Sequence, residues 1–198
     1  MINTGEQIEV LSQKLRGEIF DSILKLDTWI EMNGWSGYDP YDIKGVKFFL
    51  LTQKSKYTNI ISNILLNLFP KSIRKIFMVK KDINPKAMAL FSRGYFNLYK
   101  KFKEERYLDK ALYCLNWLVQ NSSEGYSGFC WGYPFNWQSR VFIPRGTPSG
   151  VVTSIAIHAF LDAYEIMREE EYLNIARSGC DFLLNNLNID IISEDKLC

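Results

Sequence analysis

The chain has little of what most small-molecule enzymes need. It holds one histidine, His158, and its four cysteines, Cys114, Cys130, Cys180 and Cys198, lie far apart without a CxxC pair. That spacing argues against a zinc site and a disulfide framework, and suits a reduced compartment. GxSxG, P-loop and GxGxxG patterns are all missing, so acyl transfer, NTP hydrolysis and dinucleotide chemistry lose most of their support. A DDxxD or DxDD acid cluster is missing too, which disfavours terpene-cyclase-like chemistry. Neither a metal nor a cofactor is expected.

Other absences concern location. No apolar run reaches the roughly 18 residues that cross a bilayer. The N-terminal MINTGEQIEVLSQKLRGEIF is charged and helical in pattern, unlike a signal peptide. A net charge of +2 gives no reason to expect nucleic acid. The expectation is a cytoplasmic protein.

What is present suits one domain over residues 1–198, since 47% of the residues are apolar, enough for a sizeable core. From Thr4 to about Met32, Ile8, Leu11, Leu15, Ile19, Ile23, Leu26 and Ile30 recur at steps of three and four, the pattern of an amphipathic helix. Asn33-Gly34 supplies its left-handed end. The loop WSGYDPYDIKG follows. Residues 43–81 then carry nine lysines and arginines and no acid, interleaved with apolar residues such as Phe48, Ile60, Leu65 and Phe69. Such a stretch fits a basic amphipathic surface against anionic lipid headgroups or polyanions, or a core helix with a solvated lysine face.

An internal repeat organises the rest. Residues 99–121, YKKFKEERYLDKALYCLNWLVQN, align without gaps to residues 164–186, YEIMREEEYLNIARSGCDFLLNN, at an offset of 65. Identities include Tyr99/Tyr164, Tyr107/Tyr172, Ala111/Ala176 and Leu118/Leu183. Each copy reads as a helix end, a charged turn and a second helix. An inner helix precedes each, starting at Asn84-Pro85 and at Thr147-Pro148, where an N-cap would be followed by proline at the first helical position. No stretch alternates as a strand should. The fold class is therefore all-α, built from repeated antiparallel helical hairpins that must stack to bury their apolar faces.

Between the two copies lies GYSGFCWGYPFNWQSRVFIPRGTP, residues 125–148, with seven aromatics, two arginines and no helical period. So long and aromatic a connection is expected to be ordered and to build a site.

The motifs YDPYD, NPKA, EGYSG, WGYPFNWQSR, PRGTP and HAFLDAYE, together with the repeated hairpin, resemble the (α/α) toroids of the six-hairpin glycosidase type. More closely, the chain resembles a bacterial and archaeal family found in surface-polysaccharide biosynthesis loci. Members sometimes carry the name delta-aminolevulinic acid dehydratase. That chemistry needs a β/α barrel with Schiff-base lysines, a pattern not offered here. The resemblance implies a carbohydrate-active or carbohydrate-binding protein, of glycoside hydrolase, lyase or epimerase type if it is an enzyme. It also implies a ring of six hairpins, of which this chain has room for about three. A C-terminally incomplete toroid is expected, either a truncated member or a chain that completes itself by self-association through its open edge.

In such a toroid, loops at one end of the ring line a funnel where sugars bind. Tyr126, Trp131, Tyr133 and Trp137 could stack on pyranose faces, while Gln138, Arg140 and Arg145 could hydrogen-bond hydroxyls or carboxylates. The same residues could instead pack a structural loop. Asp39 and Asp42 could serve as acid and base in glycoside chemistry, or as a turn aspartate and a helix cap. Glu124 and Asp162 are weaker acid candidates. His158 could face the funnel and titrate near neutrality, or be a core residue of its inner helix. The expected partner is a carbohydrate or lipid-linked saccharide. The alternative is a non-catalytic module docking to membrane or a biosynthetic complex through residues 43–81, peripheral to the inner face of the membrane.

Overall fold

The computed structural model describes residues 4–39, 42–46, 57, 60, 64, 67–138, 142–187, 191–193 and 196–197. The chain divides into two compact units, Met1–Ser36 and Gly37–Cys198. Among its described residues the first holds one helix, α1 (Thr4–Asn33). It stops where Gly34 adopts φ 73° and donates its N–H to the Ile30 carbonyl at 2.8 Å, the left-handed exit that Asn-Gly favours. Leu15, Ile19 and Leu26 of its apolar stripe are exposed.

The second unit is helical, with α2 (Pro70–Ile76), α3 (Pro85–Phe102), α4 (Glu105–Gln120), α5 (Gly150–Met167) and α6 (Glu170–Asn185). A short 3-10 turn, η1 (Asp42–Gly45), precedes α2. Two antiparallel two-stranded ribbons also occur, β1 (Trp137–Gln138) with β2 (Phe142–Ile143) and β3 (Ile191–Ser193) with β4 (Lys196–Leu197). They correct the expectation of no strand. Segments of two or three residues are too short to show a period of two.

The sequence repeat is a repeat of structure. The bounds of α3 and α4 reappear in α5 and α6, shifted by 65 residues at all four ends. Each pair turns through a basic residue in the left-handed region, Lys103 at φ 58° and Arg168 at φ 59°. Each of these donates its N–H to the tyrosine carbonyl four residues back at 2.9 Å and lays its cation over that ring. Inside each pair one aromatic stack recurs. Tyr95 lies 6.3 Å from Tyr107, and Phe160 lies 6.5 Å from Tyr172. Burial raises the Tyr172 hydroxyl pKa, and Glu169 and Glu171 add to the shift.

Packing follows the same plan. α3 packs on α4, α5 packs on α6, and α3 packs on α5. Met88, Phe96, Tyr107, Leu115, Leu118, Phe160 and Phe182 are buried among these helices. A smaller cluster joins η1 to α2, where Ile43 and Ile73 are buried against Val46, Phe77 and Val79.

The two inner helices start differently. Asn84 caps α3 as its sequence suggests, accepting the Lys86 N–H at 3.0 Å ahead of Pro85. α5 starts at Gly150 rather than at Pro148, with Ser149 as cap residue. Pro148 is held instead in a β-bridge with Gly132, so it belongs to the loop. α5 is no unbroken apolar run, since Thr153, Ser154, His158, Asp162 and Glu165 interrupt it. By length and composition it could cross a membrane, with mean hydropathy 1.2 over 18 residues. Its apolarity has a local cause, because it packs against both α3 and α6.

Candidate functional site

The loop between the two helix pairs is built around Trp131. Its indole N–H donates to the Leu118 carbonyl at the end of α4, at 2.8 Å. Its backbone N–H donates to Thr153 Oγ1 at 3.1 Å, and its carbonyl accepts from Ser149 N at 2.9 Å, so the first turn of α5 grips its main chain. The ring is fully buried and stacks on Phe129 at 6.1 Å and Phe160 at 5.9 Å. With no exposed surface, this ring is out of reach of a sugar in this structure. Cys130 beside it is also buried, and burial pushes its thiol up to about 11. Such a thiol is unreactive near neutral pH.

Two glycines let the loop lie against its neighbours. A Cβ on Gly128 would stand 1.8 Å from the Ser178 carbonyl oxygen of α6, and one on Gly132 would stand 2.1 Å from that of Thr147. Phe129 N donates to Ser178 Oγ at 3.1 Å, and Ser127 bonds to the Asn186 side chain through both its N–H and its hydroxyl. Tyr126 sets its ring edge-on to Phe182 at 5.6 Å and remains partly exposed.

The later half of the loop faces another way. Gly146 N donates to the Tyr133 carbonyl at 2.9 Å, and Arg145 N donates to Asn136 Oδ1 at 2.8 Å. Tyr133 packs against Phe135 at 5.5 Å. Arg145 reaches out of the loop to Asp82, Nη1 to Oδ2 at 2.6 Å, in an exposed ion pair. β1 runs beside η1, so this part of the loop meets the YDPYD turn. The backbone of Trp137 and Gln138 is β1, whereas Arg140 lies outside the described residues, as do residues 47–56 of the basic stretch.

The two aspartates of YDPYD have structural partners. Arg74 Nε donates to both carboxylate oxygens of Asp42 at 3.1 Å, and both side chains are largely buried. Arg74 Nη2 donates to the Asp39 carbonyl at 2.9 Å, and its guanidinium lies 5.2 Å from the centre of the Tyr38 ring. Asp39 Oδ2 accepts from Asn84 Nδ2 at 3.0 Å, which steers the capping residue of α3. A carboxylate held by a buried guanidinium is strongly tied to that partner. The pair serves to fasten η1 to α2.

His158 is exposed on α5, not in the core. Among the described residues, no hydrogen bond or ion pair joins it to the loop or to the YDPYD turn. Asp162, one turn on, accepts from Arg93 Nε at 2.7 Å. Three residues outside the sequence expectation matter here. Arg74 and Asp82 hold the turn and the loop arginine, and Asn186 holds Ser127. Asp82 leaves one trace in the sequence, as the first acid after the acid-free stretch 43–81.

No family model, curated protein or solved structure matches the chain. What the site can do follows from its own groups. Tyr133, Asn136 and Arg145 of the pinned loop, with Asp82 from the segment before α3, offer an aromatic ring, an amide, a five-donor cation and a carboxylate. This set can hydrogen-bond adjacent hydroxyls as donor and acceptor together.

Proposed function

We propose that the loop of residues 125–148 binds a saccharide, and that the chain is a carbohydrate-binding protein of cell-surface polysaccharide biosynthesis. The observation that carries this reading is the Arg145–Asp82 pair, an exposed donor–acceptor couple that joins a loop fixed by its buried side to the segment before α3. Pre-positioned polar groups of this kind bind without the cost of ordering a loop. The repeated helix pairs are of the sort an (α/α) toroid stacks into a ring, and the sequence resemblance supplies the saccharide class. Binding is favoured over glycoside catalysis because Asp39 and Asp42 are engaged by Asn84 and Arg74.

A glycan array carrying neutral and uronic-acid oligosaccharides, probed with the full chain, tests this. Tyr133→Ala and Arg145→Ala are each expected to weaken binding by about tenfold, or ~1.4 kcal/mol. Folding should be unaffected by Arg145→Ala, since exposed ion pairs contribute little to stability. Trp137→Ala and Arg140→Ala extend the test along the loop. Binding retained in all four variants would move the site elsewhere, and no binding to any glycan would end the saccharide reading.

A second reading rests on a separate observation. Around α2, Leu68, Phe69, Ile76 and Met78 are exposed, and Lys71, Lys75, Lys80 and Lys81 are exposed with them. Apolar groups amid cations suit docking to an anionic membrane surface. Co-sedimentation with phosphatidylserine vesicles should be salt-sensitive and lost on Ile76→Glu with Met78→Glu. Equal behaviour on neutral vesicles would count against it.

A further inference from the structure

The stack of α3 on α5 uses one face of each helix and, among the described residues, leaves the matching face of each uncovered. On α3 the side towards α5 carries Ala89, Arg93, Phe96 and Lys100. Ala89 is fully buried and Phe96 is 1% exposed, while Arg93 pairs with Asp162 and Lys100 with Glu165 at 2.8 Å. Sixty-five residues on, the same positions of α5 are Ser154, His158, Leu161 and Glu165. There Leu161 is 38% exposed and His158 is exposed. The converse holds for the receiving side. On α5 it carries Ala159, fully buried, and Asp162. The same positions of α3 are Gly94 and Asn97, both exposed, with Leu90 above them 49% exposed. Among the described residues, and apart from its chain neighbours and the backbone of its own helix, no heavy atom lies within 4 Å of where a Cβ on Gly94 would stand.

We infer that a second copy of this chain docks here, the Leu90–Gly94–Asn97 face of its α3 against the Ser154–His158–Leu161 face of α5, repeating between chains the stack already made within one. The occupant follows from the internal interface. The two open faces are the positional copies of two faces that already fit each other, on helices whose ends and turn dihedrals coincide. The charges agree as well. Position 100/165 lies at the rim of both faces, so Glu165 meets Lys100 of the partner copy, the internal ion pair with its roles exchanged. His158 stands where Arg93 does and meets Asn97 of the partner copy, which stands where Asp162 does. Two groups able to hydrogen-bond thus replace an ion pair. The contact joins unlike faces, so it is heterologous and builds a closed ring or an open chain of copies. It does not depend on the saccharide reading.

Sedimentation velocity of the full chain over a wide concentration range tests this. The chain should associate beyond the monomer. Leu161→Glu and Gly94→Glu, each confirmed folded by circular dichroism, should each remain monomeric. An equimolar mixture of the two should stop at a dimer, because only one open face of each kind survives. Glu165→Lys alone should weaken association by about tenfold, and adding Lys100→Glu should restore it. A chain that stays monomeric throughout, or assembly that survives both face variants, overturns the inference.

Discussion

In the first helix pair Ser92 and Cys114 hold the positions that Ile157 and Gly179 hold in the second. Ser92 Oγ donates to the Ala111 carbonyl at 3.1 Å, and Cys114 is fully buried. In the second pair the volume is moved across the gap. Ile157 fills it from the inner helix, and a Cβ on Gly179 would come within 2.6 Å of Ile157 Cγ1. One backbone thus accepts two partitions of the same space, small with medium or large with none. Close packing punishes a change in one partner and tolerates compensated changes in both. The pairs also differ in how they are entered. The segment before α3 is fastened by a buried ion pair, Asp42–Arg74, and the loop before α5 by a buried indole.

The largest break in that comparison is Trp131→Ala. It removes the ring that ties α4 to the loop and should cost about 4 kcal/mol of stability in urea unfolding. Next, Asp42→Ala strands the Arg74 guanidinium in its buried position and should cost about 3 kcal/mol. If Asp42 only fastens η1, saccharide binding should return to normal wherever the variant is folded. Gly179→Ala overfills the second pair and should cost about 2 kcal/mol. Adding Ile157→Ser, the residue of the first pair, should recover part of that loss. A double variant no better than the sum of its singles would show that the two positions do not share the space.

A further effect separates the pairs by pH. Burial holds the Cys114 thiol up to about 12 against an ordinary value of 9.0. Above that ordinary value the unfolded chain releases a proton that the folded chain keeps, so stability falls as pH rises towards the folded value. The slope is at most about 1.4 kcal/mol per pH unit for each such thiol. Only the first pair has a thiol at this position, so Cys114→Ala should flatten the dependence of the urea midpoint between pH 9 and pH 11. Cys130 in the loop leaves a smaller residue of the effect, being raised to about 11.

The helices and their repeat were legible because each rests on local chemistry. Tyr99/Tyr164 and Tyr107/Tyr172 mark equivalent stacking positions, and Asn84-Pro85 spells out a cap. The start of α5 was misread because Thr147-Pro148 has the same local spelling. What differs is a distant partner, since Pro148 bridges to Gly132. Within the loop, aromatic residues carry no period to say which turn inward. Trp131 and Tyr126 look alike in sequence, yet one is sealed in the core and the other lies partly in solvent. The roles of Asp39 and Asp42 depended on Arg74 and Asn84, more than 30 residues away. The exchange between Ser92/Cys114 and Ile157/Gly179 appears only once the repeat has been laid over the structure.

The glycines of the loop have one more consequence. At Gly128 and Gly132 main chain rests directly on main chain, with no side chain between to absorb a shift. Because the loop touches the end of α4, the start of α5 and the flank of α6, its outer contour is a gauge of the spacing between the two pairs. A ligand held on that contour would favour one spacing over others. By linkage it would also stiffen the joint between the pairs, so that occupancy of the loop would be felt as resistance to unfolding in helices the ligand never touches.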